Sequence, residues 1–234
     1  MASKPRLLDL FCGAGGAAMG YSRAGFEVVG VDIKPQPHYP FEFYQVDALD
    51  VLRCWNRTRY TALMDEGFAA IHASPPCQDH SSLASITGGN GTGWLLDATL
   101  KLLQDTGLSW VVENVVGAPL PNGSTLFGQH GVELCGTMFG LGVLRHRLFE
   151  ASFSVAAPLH RPHVGTFYSP AGHGDPNWRH REEHPEMHGL GYADRCREAM
   201  GIDWMNRDEL SQAIPPAYTE FIGSQLLACL GSTV

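Results

Sequence analysis

The chain has 234 residues, of which 44% are apolar and 17% charged, and its formal net charge is −8. This composition is typical of a globular protein, and the length allows one large domain or one domain with a small addition. We expect no membrane association, since no apolar run reaches about 18 residues. The first residues also lack the apolar core of a signal peptide. The six cysteines form no Cys-x-x-Cys pair, which favours reduced thiols and a cytoplasmic location.

The charges are unevenly distributed along the chain. Residues 1–142 carry 8 basic and 13 acidic side chains, whereas residues 143–200 carry seven arginines, seven acidic residues and seven histidines. Because arginine-rich surfaces attract polyanions, the block 143–200 is the favoured polyanion-binding face despite the negative total.

Strands and helices alternate from the N-terminus. Residues 7–11 predict a buried strand, followed by a glycine-rich turn and a small-residue helix that ends near Ala24 and is closed by Gly25. Further strands are predicted at 27–32 and 41–46, and a helix at about 49–57. This alternation predicts an α/β fold with a doubly wound, mostly parallel sheet.

The first turn matches a nucleotide-binding pattern. Gly13, Gly15 and Ala18 fit G-x-G-x-x-A, and Asp32 ends the next strand at about the ribose-binding spacing. Asp47 ends the strand after that. This pattern suits any adenosine-bearing cofactor, NAD and S-adenosylmethionine included, so at this point an oxidoreductase remains open.

A cysteine follows the next buried run, 68–73, on a turn stiffened by two prolines. The prolines restrict the backbone before Cys77, which suits a nucleophile that must meet a reacting carbon in a fixed position. The other five cysteines fit buried structural thiols. These are Cys12, Cys54, Cys135, Cys196 and Cys229.

A glycine-rich stretch, 79–93, comes next and could close over a substrate as a lid. A helix is predicted over 94–104 and a buried strand over 109–112, which ends in Glu113-Asn114-Val115. An acid at the end of a parallel strand lies at the ligand-binding edge of such a sheet. We therefore expect Glu113 near Cys77.

Taken in order, these motifs resemble those of the cytosine-5 DNA methyltransferases. The matching stretches are Asp9 to Gly16, Asp32, Asp47, Pro75 to Gln78, Glu113 to Val115 and Arg145 to Arg147. The resemblance implies the seven-stranded, Rossmann-like S-adenosylmethionine-dependent methyltransferase sheet with a small target-recognition insert. It also implies S-adenosylmethionine as cofactor and S-adenosylhomocysteine as product. The short chain is similar to stand-alone methylases of bacteriophages and actinobacteria, a type that includes restriction–modification methylases.

The resemblance assigns roles to individual residues. Cys77 would attack carbon 6 of a flipped-out cytosine, Glu113 would protonate ring nitrogen 3, Arg147 would contact the carbonyl oxygen, and Arg145 would support the nucleophile loop. Asp32 would hold the cofactor ribose, Asp47 the adenine amino group, and Gln212 the methionine part. The full cofactor set is Asp9, Phe11, Gly13, Gly15, Gly16, Asp32, Ile33, Asp47, Ala48, Pro75 and Gln212. The substrate set is Pro76, Gln78, Asn114, Arg179 and Arg181.

Three parts of the chain are expected: a catalytic and cofactor-binding domain at 1–152, a target-recognition segment at 153–206, and a returning C-terminal part at 207–234 with a helix over 217–230. The family often has Gln where Val143 stands, and Gly-Asn-x-Val where Ser211 to Ile214 stands.

No standard zinc-ligand spacing occurs among the histidines of the recognition segment, so we expect a solvated loop and no metal.

The partner implied is double-stranded DNA, bound by a monomer and read at a short target. An RNA or free-nucleotide cytosine-5 methyltransferase on the same fold is the alternative. A nicotinamide-dependent oxidoreductase would depend only on Gly13, Gly15 and Asp32. A catalytically silent DNA-binding relative is disfavoured because Cys77 and Glu113 are both present.

Overall fold

The computed structural model describes residues 3–55, 63, 67–76, 94–115, 131–160, 162–165, 167–170 and 191–232. Its strands are β1 (Arg6–Leu10), β2 (Glu27–Asp32), β3 (Glu42–Gln45), β4 (Ala70–Ala73), β5 (Ser109–Val115), β6 (Val132–Leu134) and β7 (Arg147–Ala151). Its α-helices are α1 (Gly16–Ala24), α2 (Ala48–Arg53), α3 (Trp94–Gln104), α4 (Tyr192–Met200), α5 (Arg207–Gln212) and α6 (Pro216–Gly231). No described helix is long and apolar enough to cross a membrane.

The strands form one seven-stranded sheet in the order β3-β2-β1-β4-β5-β7-β6. Strands β1 to β5 pair in parallel, whereas β7 runs antiparallel to both β5 and β6. The predicted mostly parallel, doubly wound sheet is thereby confirmed. Its order reverses between β1 and β4, and ligands of such sheets bind beyond the carboxyl ends of the strands at this point.

Helices cover both faces of the sheet, which explains why the central strands are buried along almost their whole length. On one face, Val51 and Leu52 of α2 and Leu96 and Leu103 of α3 pack on the sheet. On the other face, α1 and α6 pack together, and Tyr21 of α1 is fully buried. Gly20 makes this helix pair possible, because a Cβ there would lie 2.0 Å from Thr219 Oγ1.

Strand β5 runs from Ser109 to Val115 and so ends in Glu113-Asn114-Val115, as predicted. All three of these last residues pair with β7. Helix α2 is shorter than predicted and ends at Arg53. Strand β2 and helix α3 have the predicted bounds.

A third apolar cluster joins the chain around 192–210 to the catalytic part. Cys196 and Met200 of α4, with Leu210 of α5, pack against Ala14 and Val143. Trp204 Nε1 also donates to the carbonyl of Ala14, at 2.8 Å. Val143, which stands where the family often has Gln, is fully buried here, so an apolar side chain suits this position. Part of the segment predicted for target recognition therefore belongs to the core.

Candidate active site

The carboxyl ends of the central strands bring the candidate catalytic residues together. Ser74 and Pro75 directly follow β4, and Glu113 lies near the end of the neighbouring strand β5. Arg147 begins β7 on the other side of β5. Neighbouring strands thus supply an acid, an arginine and the turn that leads to Cys77.

Glu113 and Arg147 form a buried ion pair. Arg147 Nε lies 2.9 Å from Glu113 Oε1, and their side chains are 15% and 8% exposed. The register explains the contact: Arg147 is opposite Val115, so it lies diagonally from Glu113 on one face of the antiparallel pair. Arg147 also donates through Nη1 to the carbonyl of His146, at 2.8 Å. Both side chains are therefore held in fixed positions.

Burial raises the pKa of Glu113, and Arg147, Arg145 and a hydrogen bond from Ser74 lower it in part. Removing a carboxylate from water opposes its charged form, whereas neighbouring cations and donors favour that form. The net direction is upward, so this carboxyl keeps a proton to higher pH than an exposed glutamate does. Burial lowers the pKa of Arg145 to about 9, which leaves the guanidinium charged at neutral pH.

Behind Glu113 runs a chain of buried polar groups that the sequence analysis did not predict. Tyr21 Oη lies 3.1 Å from His72 Nδ1, and His72 Nε2 lies 2.8 Å from Ser74 Oγ. Ser74 in turn bonds to Glu113. Burial lowers the pKa of His72 to about 3, so its ring is neutral. A neutral ring can accept from Tyr21 and donate to Ser74, whose hydroxyl is then free to donate to Glu113.

Asn114 fixes the turn before Cys77. Its Nδ2 donates to the carbonyl of Pro75 at 3.0 Å, and its Oδ1 accepts from the backbone N–H of Val115 at 2.8 Å. Asn114 is only 3% exposed. These contacts show that Asn114, predicted to bind substrate, restricts the turn that leads to Cys77. Pro75 is buried, and Pro76 is exposed.

Arg145 contacts the C-terminal part of the chain. It donates through Nε to the carbonyl of Ala213 at 2.6 Å and through Nη2 to that of Ser211 at 2.7 Å. Its own carbonyl accepts from Tyr218 Oη at 2.9 Å, and its φ is 26°. A non-glycine residue in this region is strained, and such strain is common at functional sites. Arg145 thus fastens the connection before α6 next to the ion pair.

At the ends of β1 and β2, Asp32 organises the predicted cofactor edge. Its Oδ2 accepts from the N–H of Gly13 at 3.1 Å, and its Oδ1 accepts from the N–H of Lys34 at 2.9 Å. A Cβ at Gly13 would meet nothing within 4 Å, so the turn is open on that side. Ile33, beside Asp32, is 48% exposed. An acid, an open backbone and an exposed apolar side chain are the groups that an adenosine moiety uses.

Asp9 is the least satisfied polar residue of this edge. It is fully buried on β1, and neither of its carboxylate oxygens meets hydrogen-bond geometry with a described partner. Burial and the charge of Asp32 raise the pKa of Asp9, and the hydroxyl of Tyr39 lowers it in part. Phe11, two residues on, has a φ of 56°. A buried acid without a full set of partners is typical of a ligand site.

Other predicted cofactor residues have structural roles in the protein itself. Asp47 caps α2, because its Oδ1 accepts from the N–H groups of Leu49 and Asp50. Ala48 is 2% exposed. A Cβ at Gly15 would lie 2.7 Å from the ring of Pro40, and one at Gly16 would lie 2.4 Å from the carbonyl of Ile214. Close packing is therefore sufficient to explain both glycines.

Four predicted site residues lie outside the described part of the chain, so their predicted roles are untested. They are Cys77, Gln78, Arg179 and Arg181. Gln212, the last residue of α5, is described and exposed.

The histidines after β7 are not independent surface residues. His160 and His163 lie against Cys135 and His146, with all four potential ligand atoms within 4.8 Å of one another. His160 and His163 are exposed and Cys135 is buried, but the meeting of these side chains in one cluster was not predicted. Spacing rules missed it because its members come from three separate parts of the chain, although the short pair His160-x-x-His163 was a usable signal.

The sheet order and the strand-end acids define a doubly wound α/β protein with a ligand-binding edge at the carboxyl ends of its strands. Over residues 5–124, the chain matches the model of the C-5 cytosine-specific DNA methylase family. The chain belongs to this family.

Two curated relatives agree with this assignment. The type II methyltransferase M.HgiDI of Herpetosiphon aurantiacus is 26% identical over 161 residues, which cover 62% of this chain and 50% of that protein. M.HgiGI from the same organism is 30% identical over 128 residues, which cover 49% of this chain and 94% of that protein. The chain thus spans about half the length of M.HgiDI but nearly all of M.HgiGI.

Two solved structures share the fold. One is described as a DNA modification methyltransferase encoded within a prophage (E. coli), with a TM-score of 0.63 at 14% identity over 97% of this chain and 99% of that one. The other is the S. pombe Dnmt2 methyltransferase, with a TM-score of 0.57 at 14% identity and the same coverage.

Proposed function

We propose that this protein is a DNA cytosine-5 methyltransferase that acts through a covalent adduct of Cys77. The observation that carries the proposal is the buried Glu113, held by Arg147 beside the turn that leads to Cys77. Together with the family membership, this acid–arginine pair supports cytosine chemistry over the nicotinamide alternative, which depends on the glycine turn alone.

The cofactor edge suits S-adenosylmethionine. The unsatisfied, buried carboxylate of Asp9 is a partner for an ammonium group, and Asp32 can accept from ribose hydroxyls while it also holds Gly13. The exposed Ile33 offers an apolar surface to adenine. When bound, S-adenosylmethionine supplies an electrophilic methyl group on its sulfonium sulfur. The residues present therefore fit this cofactor.

The chemistry begins at the cysteine. Carbon 5 of cytosine is a weak nucleophile, so the Cys77 thiolate first forms a bond to carbon 6, and the electron pair of the double bond moves toward carbon 5 and ring nitrogen 3. Asn114 holds the carbonyl of Pro75 and so restricts the turn that carries this thiolate. Carbon 5 can then accept the methyl group.

Glu113 manages the proton at ring nitrogen 3. Its raised pKa lets it donate a proton or a hydrogen bond there as the charge develops, and Arg147 stabilises the carboxylate that remains. After transfer, loss of the carbon 5 proton to water returns the electron pair and expels Cys77. A water is the proposed acceptor, since no second base is evident at the described strand ends.

The proposed partner is double-stranded DNA, with the base flipped out of the stack because carbon 6 cannot be reached inside it. Phosphate contacts would come from the arginine-rich block 143–200, including Arg179 and Arg181. We propose a monomer that acts in the cytoplasm of a bacterial cell, where such DNA lies. RNA or free nucleotides are the alternative substrates.

The decisive test is covalent trapping. Wild-type protein with S-adenosylmethionine and DNA that contains 5-fluorocytosine should form an adduct that survives a denaturing gel, because fluorine blocks the elimination step. Cys77→Ala should form none, and Cys77→Ser should lose detectable turnover while it still binds S-adenosylmethionine in calorimetry. Near-wild-type turnover of the serine variant would overturn the assignment.

Matched assays decide the substrate class. Methyl transfer from radiolabelled S-adenosylmethionine should reach duplex DNA and not tRNA or dCMP. The opposite preference would favour the alternative. Bisulfite sequencing of the methylated DNA then gives the target.

A further inference from the structure

Four side chains with metal-binding atoms lie close together in the structure. Cys135 follows β6, His146 precedes β7, and His160 and His163 follow β7. Cys135 Sγ lies 3.5 Å from His163 Nε2, which lies 3.1 Å from His160 Nε2. The ring of His146 has its centroid 5.5 Å from that of His160 and 5.1 Å from that of His163.

Two of these spacings are close to those of a tetrahedral metal site. Zinc bound by nitrogen at about 2.0–2.1 Å and by sulfur at about 2.3 Å holds neighbouring ligand atoms about 3.3–3.6 Å apart. The two distances at His163 Nε2, 3.5 Å to sulfur and 3.1 Å to nitrogen, are close to these values. All four potential ligand atoms lie within 4.8 Å of one another, so the wider pairs must approach by at most about 1.5 Å to close around one ion.

Hydrogen bonding alone explains this group poorly. A neutral imidazole has one N–H, yet His163 Nε2 faces both a thiol and the Nε2 of His160. Protonating the rings would instead bring like charges together, since the three ring centroids lie within 5.5 Å of one another. A metal cation bound by the nitrogen and sulfur lone pairs removes both the shortage of N–H donors and the repulsion between protonated rings.

The ligand types select the metal. One thiolate and three imidazoles suit zinc, and four protein ligands leave no open coordination position, which is the pattern of a structural rather than a catalytic site. We propose that Cys135, His146, His160 and His163 bind one Zn²⁺ in a closed tetrahedral site.

Groups around the ligands support this assignment. Thr137 Oγ1 lies 3.3 Å from Cys135 Sγ, and Glu133 Oε1 lies 3.8 Å from His146 Nε2. Hydroxyls and carboxylates in such positions orient metal ligands. Cys135 is fully buried, so it offers a fixed point on which the exposed histidines can assemble.

The segment that carries His160 and His163 is held at its ends, where Ala156 bonds to Gln225 and Tyr168 to Gly142, but is weakly packed between them. Its apolar residues Leu159 and Val164 are 83% and 84% exposed, so the core does not anchor it. A metal supplies folding free energy where packing does not. The ion would tie this segment to the end of β6 and would fix His146, the direct neighbour of Arg147.

Metal content tests the proposal without depending on activity. Wild-type protein, loaded with zinc and then dialysed, should retain one zinc per chain by plasma mass spectrometry. His160→Ala and His163→Ala should lower zinc affinity by more than the roughly 10–100-fold that changes around a metal's ligands cause. These histidines are exposed, so the variants should still fold, as circular dichroism would verify. Cys135→Ser should lose zinc as well.

His38→Ala and Cys229→Ser are the matched controls, because both residues lie outside the cluster, and they should retain one zinc. Cobalt bound to the wild type should give the visible absorption of a tetrahedral thiolate complex, and Cys135→Ser should lack its thiolate band. Wild-type protein without retained zinc, or equal retention in the histidine variants, would overturn the proposal.

Discussion

At the scale of single residues, Glu113 is subject to opposing influences. Burial favours its neutral form, while Arg147, Arg145 and Ser74 favour its charged form. Burial prevails, so the proton is retained to higher pH than on an exposed glutamate. A carboxyl tuned in this way is better suited to general acid catalysis than an exposed glutamate is.

Replacing Ser74 with alanine should shift the pH dependence of turnover in a defined direction. The Ser74 hydrogen bond lowers the pKa of Glu113, so its loss raises that pKa further. The protonated acid then persists to higher pH, so the alkaline limb of the kcat profile should move to higher pH. The substitution also leaves His72 Nε2 without its acceptor, at a cost of about 1–3 kcal/mol in the free energy of unfolding.

Ser224→Ala provides the control, because Ser224 lies on α6 and donates only to the carbonyl of Glu220. Its profile should match that of the wild type. An alkaline limb in Ser74→Ala that stays in place or moves to lower pH would show that Glu113 does not govern it.

At the scale of elements, the sequence correctly predicted the helices and strands whose bounds depend on residues close together in the chain. The run 27–32 and the helical spacing of 94–104 gave the bounds of β2 and α3, because alternation with glycine turns is visible in the chain itself. Short β6 and β7 were not predicted, since β7 joins the sheet by pairing with β5, a partner far away in sequence.

The residues of the candidate site likewise fall into those that the sequence could predict and those that it could not. Strand-end acids such as Asp32 and Glu113 could be predicted, because parallel strands bring their carboxyl ends to one edge. The network through Tyr21 and His72 could not, since it joins a helix to a neighbouring strand through buried contacts 51 residues apart. The group around Cys135 likewise depends on tertiary structure.

The contact between α1 and α6 gives a sharp stability prediction. In Gly20→Ala, the new Cβ would lie 2.0 Å from Thr219 Oγ1 and 2.1 Å from the carbonyl of Pro216. The backbone of α6 must then move, and the hydrogen bond from Thr219 to the carbonyl of Ala17 is disturbed. We expect the free energy of unfolding to fall by about 1–3 kcal/mol or more in urea denaturation.

Gly231→Ala is the matched helical control, since a Cβ there meets nothing within 4 Å. It should leave stability unchanged or raise it by up to about 1 kcal/mol, the usual gain of alanine over glycine in a helix. Equal effects of the two substitutions would contradict the close packing of α1 on α6.

At the scale of the whole molecule, the chain available for reading DNA is short. Only 66 residues separate Arg147 from Ile214, and the structure commits part of them to the core. Cys196 and Met200 pack against Val143, and Trp204 bonds to the glycine turn. Arg195 is also buried, 6% exposed, so it offers no contact to a base. The recognition surface is therefore smaller than the count of arginines suggests.

We accordingly expect a target of about two to four base pairs, such as GpC or CpG, because each base pair read in a groove needs its own side chain. Arg145 donates to the carbonyl of Ala213, Arg147 pairs with Glu113, and Arg197 donates to the carbonyl of Met205. Of the remaining arginines, several would contact phosphates, which position the protein without specifying a sequence. Bisulfite sequencing of genomic DNA methylated by the purified protein measures the target directly. A strict site of five or more base pairs would require base contacts that this chain is too short to supply, and would contradict the prediction.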